Sequence, residues 1–260
     1  MEHSEGYGAL KSTCVKFSGL LASPLMSSDD DTPATRRRPT HRKGRATLTR
    51  ESVGRAALEF LGHHGPAALT MRSLAAELGV SPRALYNYVE DRRDLVTVAA
   101  EIFEADWQAP PLDASADHWR ASLHAFCRDL RAHYRAHPGM TTLALRENVT
   151  AARHPTMLAN VDALIGFYAD LGMPLADAYL ACVETLRVVV AFVEFQDTPY
   201  DHPPAHLEEQ TFPPPWLTTA DHPYLARLST VPAPTPDALF AFTLTTLTEG
   251  LAAQLPPRAG

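Results

Sequence analysis

The sequence predicts an all-α chain in which an N-terminal three-helix module with a helix-turn-helix precedes a larger helical domain. Three observations carry this reading. Apolar residues recur at i, i+3, i+4 and i+7 from Thr49 almost to the C-terminus, no stretch combines strand alternation with a hairpin turn, and the breaks between periodic stretches fall at Gly and Pro. With 260 residues and 45% hydrophobic content the chain can bury a sizeable core, which excludes a wholly disordered tail.

Residues 1–35 mix Gly, Ser, Thr and Pro with the acidic run Asp29 to Asp31 and read as a disordered leader, with Met26 an alternative start. Arg36 to Arg45 then holds six strong cations broken by Pro39 and Gly44, either a solvated tail or an arm for phosphates or a minor groove. From Thr49, Val53, Ala56, Ala57, Phe60 and Leu61 mark a helix that stops between Gly62 and Gly65, ahead of Pro66. Thr70 is placed to cap a short helix, Met71 to Leu78, closed by Gly79 in the left-handed position. Ser81 caps a third helix with Pro82 in its first turn, where no N–H is needed, running through Tyr88 and stopping by Glu90. A fourth runs from about Asp91 to Trp107. Further helices are expected at about 116–136, 140–149, 155–171 and 174–195, then a long Pro-rich irregular loop over 197–215, a short helix within 222–230 and a last helix at about 236–255.

Charge is distributed unevenly. The net of −7 conceals a segment, 36–95, with twelve Lys/Arg against six acids, and a remainder, 96–260, with nine against nineteen. That asymmetry points to an anion-seeking N-terminal module on an acidic body. Cys14, Cys127 and Cys182 are too scattered for a disulfide framework or a zinc site, which fits a reducing cytoplasm. No stretch approaches about 18 consecutive apolar residues, and Val15 to Met26 is too interrupted for a signal peptide, so a soluble cytoplasmic protein with no membrane partner is expected.

Leu74 to Tyr88 is the most informative stretch: a short amphipathic helix, a Gly79-Val80-Ser81 turn and a capped second helix form a helix-turn-helix, whose second helix can lie in a DNA major groove. Over 47–95 the series Thr49-Arg50-Glu51-Ser52-Val53, Ala56-Ala57-Leu58, Gly65, Leu69-Thr70-Met71-Arg72-Ser73-Leu74-Ala75, Leu78-Gly79-Val80, Ala84-Leu85-Tyr86, Tyr88-Val89 and Arg92-Arg93-Asp94-Leu95 resembles the DNA-binding domain of the TetR family of repressors. Gly172-Met173-Pro174 between two long helices, Ala191-Phe192-Val193-Glu194 and the Pro-rich loop before a final apolar helix more loosely resemble the tetracycline-repressor branch.

The resemblance implies a leader and basic arm at 1–46, a DNA-binding domain at 47–95 and a ligand-binding and dimerisation domain at 96–260. It implies a homodimeric repressor on a palindromic double-stranded operator, released by a small-molecule inducer and controlling an efflux or biosynthesis gene. By matched position Arg72, Arg83, Tyr86, Asn87 and Tyr88 face DNA and Arg92 meets a phosphate; Arg45, Thr49 and the cap residue Ser81 complete the set. Tyr offers a ring to a thymine methyl and Arg pairs bidentately with guanine, so the chemistry makes the same choice. Leu85 is expected in the core. Pro82-Arg83-Ala84 departs from the base-reading residues of tetracycline repressors, so their operator does not carry over.

Tetracycline repressors hold a magnesium–drug complex through a histidine on the short helix after the fifth. That position is Leu143 here, so neither metal nor cofactor is expected. Glu194 matches an acidic position near that metal, but one carboxylate cannot hold the site alone, and a pocket or interface hydrogen bond is expected of it. The inducer is expected among Trp107, Phe126, His133, His137, Met140, Asn148, Phe167, Phe192 and Glu194, in an aromatic-lined pocket for a drug-like or secondary-metabolite ligand. The fourth helix, touching both modules, is read as the lever between them. Val183, Leu186, Val189, Val190 and Val193 spread round more than one face of 174–195, so that helix and 236–255 are expected to pair across a dimer.

The competing class is an enzyme, a helical catalytic domain with an appended helix-turn-helix. Twelve histidines invite it, yet none falls in an HExxH pattern, His133 and His137 at i, i+4 have no nearby carboxylate in register that would complete a metal site, and no phosphate loop or nucleophile elbow occurs. No catalytic residue is therefore expected.

Overall fold

The computed structural model describes residues 48–149, 154–203, 222–228 and 231–256. Among them every regular element is helical: α1 (Arg50–His64), α2 (Met71–Glu77), α3 (Pro82–Leu85), α4 (Arg92–Ala105), α5 (Trp119–Ala136), α6 (Met140–Arg146), α7 (Pro155–Asp170), α8 (Leu175–Phe192), a π turn (Val193–Asp197), α9 (Thr198–Asp201), α10 (Pro223–Arg227) and α11 (Pro236–Ala252). The all-α class is as read from the periodicity.

Local chemistry explains where these helices begin. Thr49 and Ser52 exchange side-chain and backbone hydrogen bonds in a capping box, Thr70 and Ser73 repeat it, and Ser81, Asp91 and Thr235 each accept the amide three residues on. Each cap satisfies amides that the first helical turn leaves without a carbonyl. The α6 start is fixed differently: Gly139 has φ +77, and a Cβ there would sit 2.3 Å from Cβ of Pro66, so only glycine lets the α5–α6 turn approach the end of α1 this closely.

Packing sorts the helices into two hydrophobic clusters. The first joins α1, α2, α3 and α4 through residues such as Val53, Leu61, Leu74, Leu85 and Phe103, and takes in Met140, Leu143 and Ala144 of α6. The second is built by α5, α7, α8 and α11 around Phe126, Leu164, Tyr168, Val189, Phe240 and Leu244, with Trp107 at its edge. Leu85 is fully buried, as its apolar position predicts.

Several element bounds differ from the sequence reading. The third helix ends at Leu85 rather than Tyr88, because the Asn87 and Tyr88 amides reach back only three residues, to the Ala84 and Leu85 carbonyls at 3.3 and 2.9 Å. Arg50, paired with Asp94, donates to the Tyr88 carbonyl at 3.1 Å and closes that turn from outside. Helix α6 stops at Arg146 instead of 149, its end wrapped by Asn148 at φ +58. The segment 197–201, expected as irregular loop, is helical: α8 widens into a π turn and continues to Asp201. Pro199 there has no N–H to return to the Phe195 carbonyl four residues back, and Asp197 is drawn inward by Arg131. The helix expected within 222–230 spans Pro223–Arg227, and the rest of the loop lies outside the described residues.

Candidate nucleic-acid interface

The turn between α2 and α3 is tightly made. Gly79 at φ +61 donates to Ala76 O at 3.0 Å and Val80 to Ala75 O at 2.9 Å, which satisfies the last carbonyls of α2 and reverses the chain within three residues. Ser81 Oγ then accepts the Ala84 amide at 3.2 Å. With Leu85 anchored in the core, the opposite side of α3 points outward. Arg83, Tyr86 and Asn87, spaced i, i+3 and i+4, are all exposed there, Tyr86 at 53%. Arg72 is exposed on α2. None of these four side chains has a hydrogen-bond or ionic partner among the described residues, so their donors are available to a ligand.

The remaining candidates are placed otherwise. Thr49 and Ser81 spend their hydroxyls on helix caps. Tyr88 is half-buried against the first cluster. Arg92 is turned into the protein: its Nε donates to Glu147 Oε1 at 2.7 Å and its Nη1 to the Leu69 carbonyl. Arg45 and the basic arm lie outside the described residues.

The residues proposed to meet an inducer fall into separate neighbourhoods. Trp107, Phe126 and His133 form one stack: Trp107 meets the edge of Phe126 at 5.5 Å and lies parallel to His133 at 5.9 Å, while His133 stacks on Phe103 of α4 at 4.2 Å. His133 Nε2 lies 3.1 Å from the Phe103 carbonyl, and His137 Nδ1 lies 3.3 Å from Leu58 O of α1. Phe167 sits in the second cluster, Met140 in the first, and Asn148 is exposed. Phe192 meets Phe240 at 4.9 Å. Glu194 accepts from Thr142 Oγ1 at 3.3 Å and from the Gly139 amide, and burial raises its pKa.

Sequence reasoning missed the polar braces around this stack. Asn160 is buried and bonds the Ala109 amide at 3.0 Å and the Trp107 carbonyl at 2.9 Å, and Asp129 takes the Trp107 indole N–H at 2.7 Å. A signal existed: Asn160 falls in the helical stripe Met157, Val161, Leu164, where only apolar residues are expected.

Half-buried His133 titrates unusually. Desolvation, reinforced by the neighbouring His137 charge and only partly offset by the Phe103 carbonyl and by Asp106 and Asp129, lowers its pKa from 6.5 to about 4. The unfolded chain therefore takes up this proton first, so the contribution of neutral His133 is present above 6.5 and is lost as pH falls towards 4. In His133→Gln the drop in Tm between these pH values should be shallower than in wild type; an unchanged pH profile would remove His133 as its source.

Among the described residues, no helix is long and apolar enough to cross a membrane and no three His, Cys, Asp or Glu side chains converge to hold a metal ion.

Comparison with known proteins adds to this geometry. Residues 55–99 match the family model described as bacterial regulatory proteins, tetR family, and residues 110–255 match the tetracyclin repressor-like, C-terminal domain. The chain is 35% identical over 133 residues to the HTH-type transcriptional repressor DrrR1 of Streptomyces coeruleorubidus, covering 51% of this chain and 47% of that protein. It is 30% identical over 135 residues to the tetracycline repressor protein class A from transposon 1721 of Escherichia coli, covering 50% and 59%. The chain thus spans about half the length of the curated relatives it matches. A solved structure of a possible TetR family transcriptional regulator from Streptomyces coelicolor A3(2) superposes with a TM-score of 0.61 at 27% identity, over 78% of this chain and 98% of that one.

Proposed function

The chain belongs to the TetR family of transcriptional regulators, and on that premise we propose that it is a repressor that binds a palindromic operator as a homodimer and leaves it when a small drug-like or secondary-metabolite inducer binds. The observation that carries the reading is the capped α2–turn–α3 unit, which buries Leu85 and leaves Arg83, Tyr86 and Asn87 exposed without partners among the described residues. Within it, 47–95 is the DNA-binding domain, preceded by the arm, and 96–260 the ligand-binding and dimerisation domain. Helix α4 and the residues just past its end cross that boundary, since Phe103 of α4 packs in the first cluster and Trp107, two residues beyond Ala105, in the second.

The inducer acts at the Trp107, Phe126 and His133 stack. A ligand that parts these rings must move Phe103, and with it α4 beneath the helix-turn-helix. Such a ligand loosens DNA only insofar as it binds the parted conformation better than the stacked one. The second chain docks on the outer face of α8, the π turn and α11, where Phe195 and Phe242 are 81% and 75% exposed beside a groove of about 450 Å³ lined by Val188, Ala191 and Leu239.

The test is base readout. Arg83→Ala and Tyr86→Ala should each weaken a duplex selected by the wild-type protein from a random library by roughly 1–3 kcal/mol, with little change on unselected DNA. Unchanged affinity of both variants for the selected duplex would refute the interface.

A further inference from the structure

The α6 end meets the α4 start through charges that the operator reading does not use. Helix α6 closes with the Val149 amide on Ala144 O at 2.8 Å and the Asn148 amide on Leu145 O at 3.2 Å, with Asn148 in the left-handed region at φ +58. That conformation is unusual for a side-chain-bearing residue, and Asn is among those that tolerate it. It turns the chain so that the Glu147 carboxylate reaches Arg92 at 2.7 Å and the Asn148 carbonyl lies 3.5 Å from Arg93 Nη2. Both arginines at the head of α4 are therefore engaged by the end of α6.

Arg92 is the more telling of the two. Its side chain is 36% exposed, so it remains within reach of an outside anion while paired. The Leu69 carbonyl, one residue before the α2 cap, fixes one edge of the guanidinium to the helix-turn-helix. A carboxylate and a phosphate use the same chemistry towards a guanidinium, two oxygens accepting from its N–H fork. Glu147 thus holds a negative charge against the cation that the family resemblance assigns to a DNA phosphate.

We propose that Glu147 is an internal stand-in for an operator phosphate: it competes with DNA for Arg92, so that the end of α6 sets how much of this cation the DNA can use. The proposal rests on the DNA-binding reading above and gives it an adjustable electrostatic part. When Glu147 holds Arg92, one phosphate is left without its cation in the complex. When the α6 end moves away, Arg92 is released towards the backbone of the duplex.

The test is the salt dependence of binding to a duplex of random sequence, since phosphate contacts carry no base preference. In Glu147→Gln the slope of log K against log salt should steepen by about 0.9 for the one further phosphate that Arg92 neutralises, with tighter binding at low salt. The steepening should vanish in the Glu147→Gln, Arg92→Ala double variant, which separates release of Arg92 from the mere removal of a negative charge. A steepening of equal size in the Arg92→Ala background, an unchanged slope, or weaker binding by Glu147→Gln would each overturn the proposal. If Glu147→Gln does not fold, Glu147→Asp, one methylene short of Arg92, should show part of the rise, and no rise would count against it equally. These outcomes are independent of base readout: loss of selectivity in Arg83→Ala tests the operator interface whether or not the slope moves.

Discussion

Phe242→Asp is expected to yield a folded monomer that no longer retains a palindromic operator. Phe242 lies on α11 and is 75% exposed in the single chain, so an aspartate there displaces no packed neighbour and the intrinsic stability of one chain, apart from what association adds, should change by no more than about 0.5 kcal/mol. In the proposed dimer the same position lies beside Phe195, Val188, Ala191 and Leu239, and twofold symmetry presents each changed residue to its counterpart's apolar face. A carboxylate desolvated there without a cation is strongly unfavourable. Loss of the dimer converts binding at two linked half-sites into binding at one, and operator affinity should fall on the order of 10²–10⁴-fold. Sedimentation would report half the wild-type mass with an unchanged circular dichroism spectrum. A variant that keeps the dimer mass at micromolar concentration would show that the chains associate through another face.

The parts of this molecule that were legible in the sequence are those decided within a few residues. Thr70 and Ser81 cap helices because their hydroxyls reach amides three positions on, and Gly79 closes α2 because its left-handed φ is local. The exposure of Arg83, Tyr86 and Asn87 has the same local origin: with Leu85 in the core, the turn of chain around it leaves them outside. What failed depended on partners far along the chain. The early end of α3 is sealed by Arg50, 38 positions before Tyr88, and Arg92 is claimed by Glu147, 55 positions after it. Met140 and Phe167 were grouped in one expected pocket, yet periodicity cannot say that one joins the first cluster and the other the second. Arg131 did leave a trace, a cation continuing the apolar stripe of Phe126, Cys127 and Leu130, which is where a buried ion pair shows itself in a helix.

That pair underlies the largest stability change expected. Arg131 on α5 meets Asp197 of the π turn through two parallel bonds, Nε to Oδ2 and Nη2 to Oδ1, both 2.7 Å, and the Asp197 side chain is fully buried. Its guanidinium also lies over the rings of Phe240 and Phe192, at 4.6 and 5.1 Å, so the cation is enclosed by α8 and α11 as well. Asp197→Ala would leave this buried charge with Asp237 alone, whose side chain is 83% exposed and whose pull is screened by water. The cost should be about 3–5 kcal/mol, or roughly 6–20 °C in Tm for a chain of this size. Replacing both partners, as in Arg131→Met with Asp197→Leu, should recover most of the loss, because the penalty comes from the orphaned charge rather than from a missing attraction. The pair also holds the π turn that carries Phe195 outward on the proposed dimer face. Asp197→Ala should therefore weaken dimerisation even well below its Tm, while the apolar double variant, which restores packing without the bidentate geometry, separates stability from the placement of Phe195. A loss under about 1 kcal/mol in Asp197→Ala would mean that Asp237 can take over the cation, and that the π turn is held by packing alone.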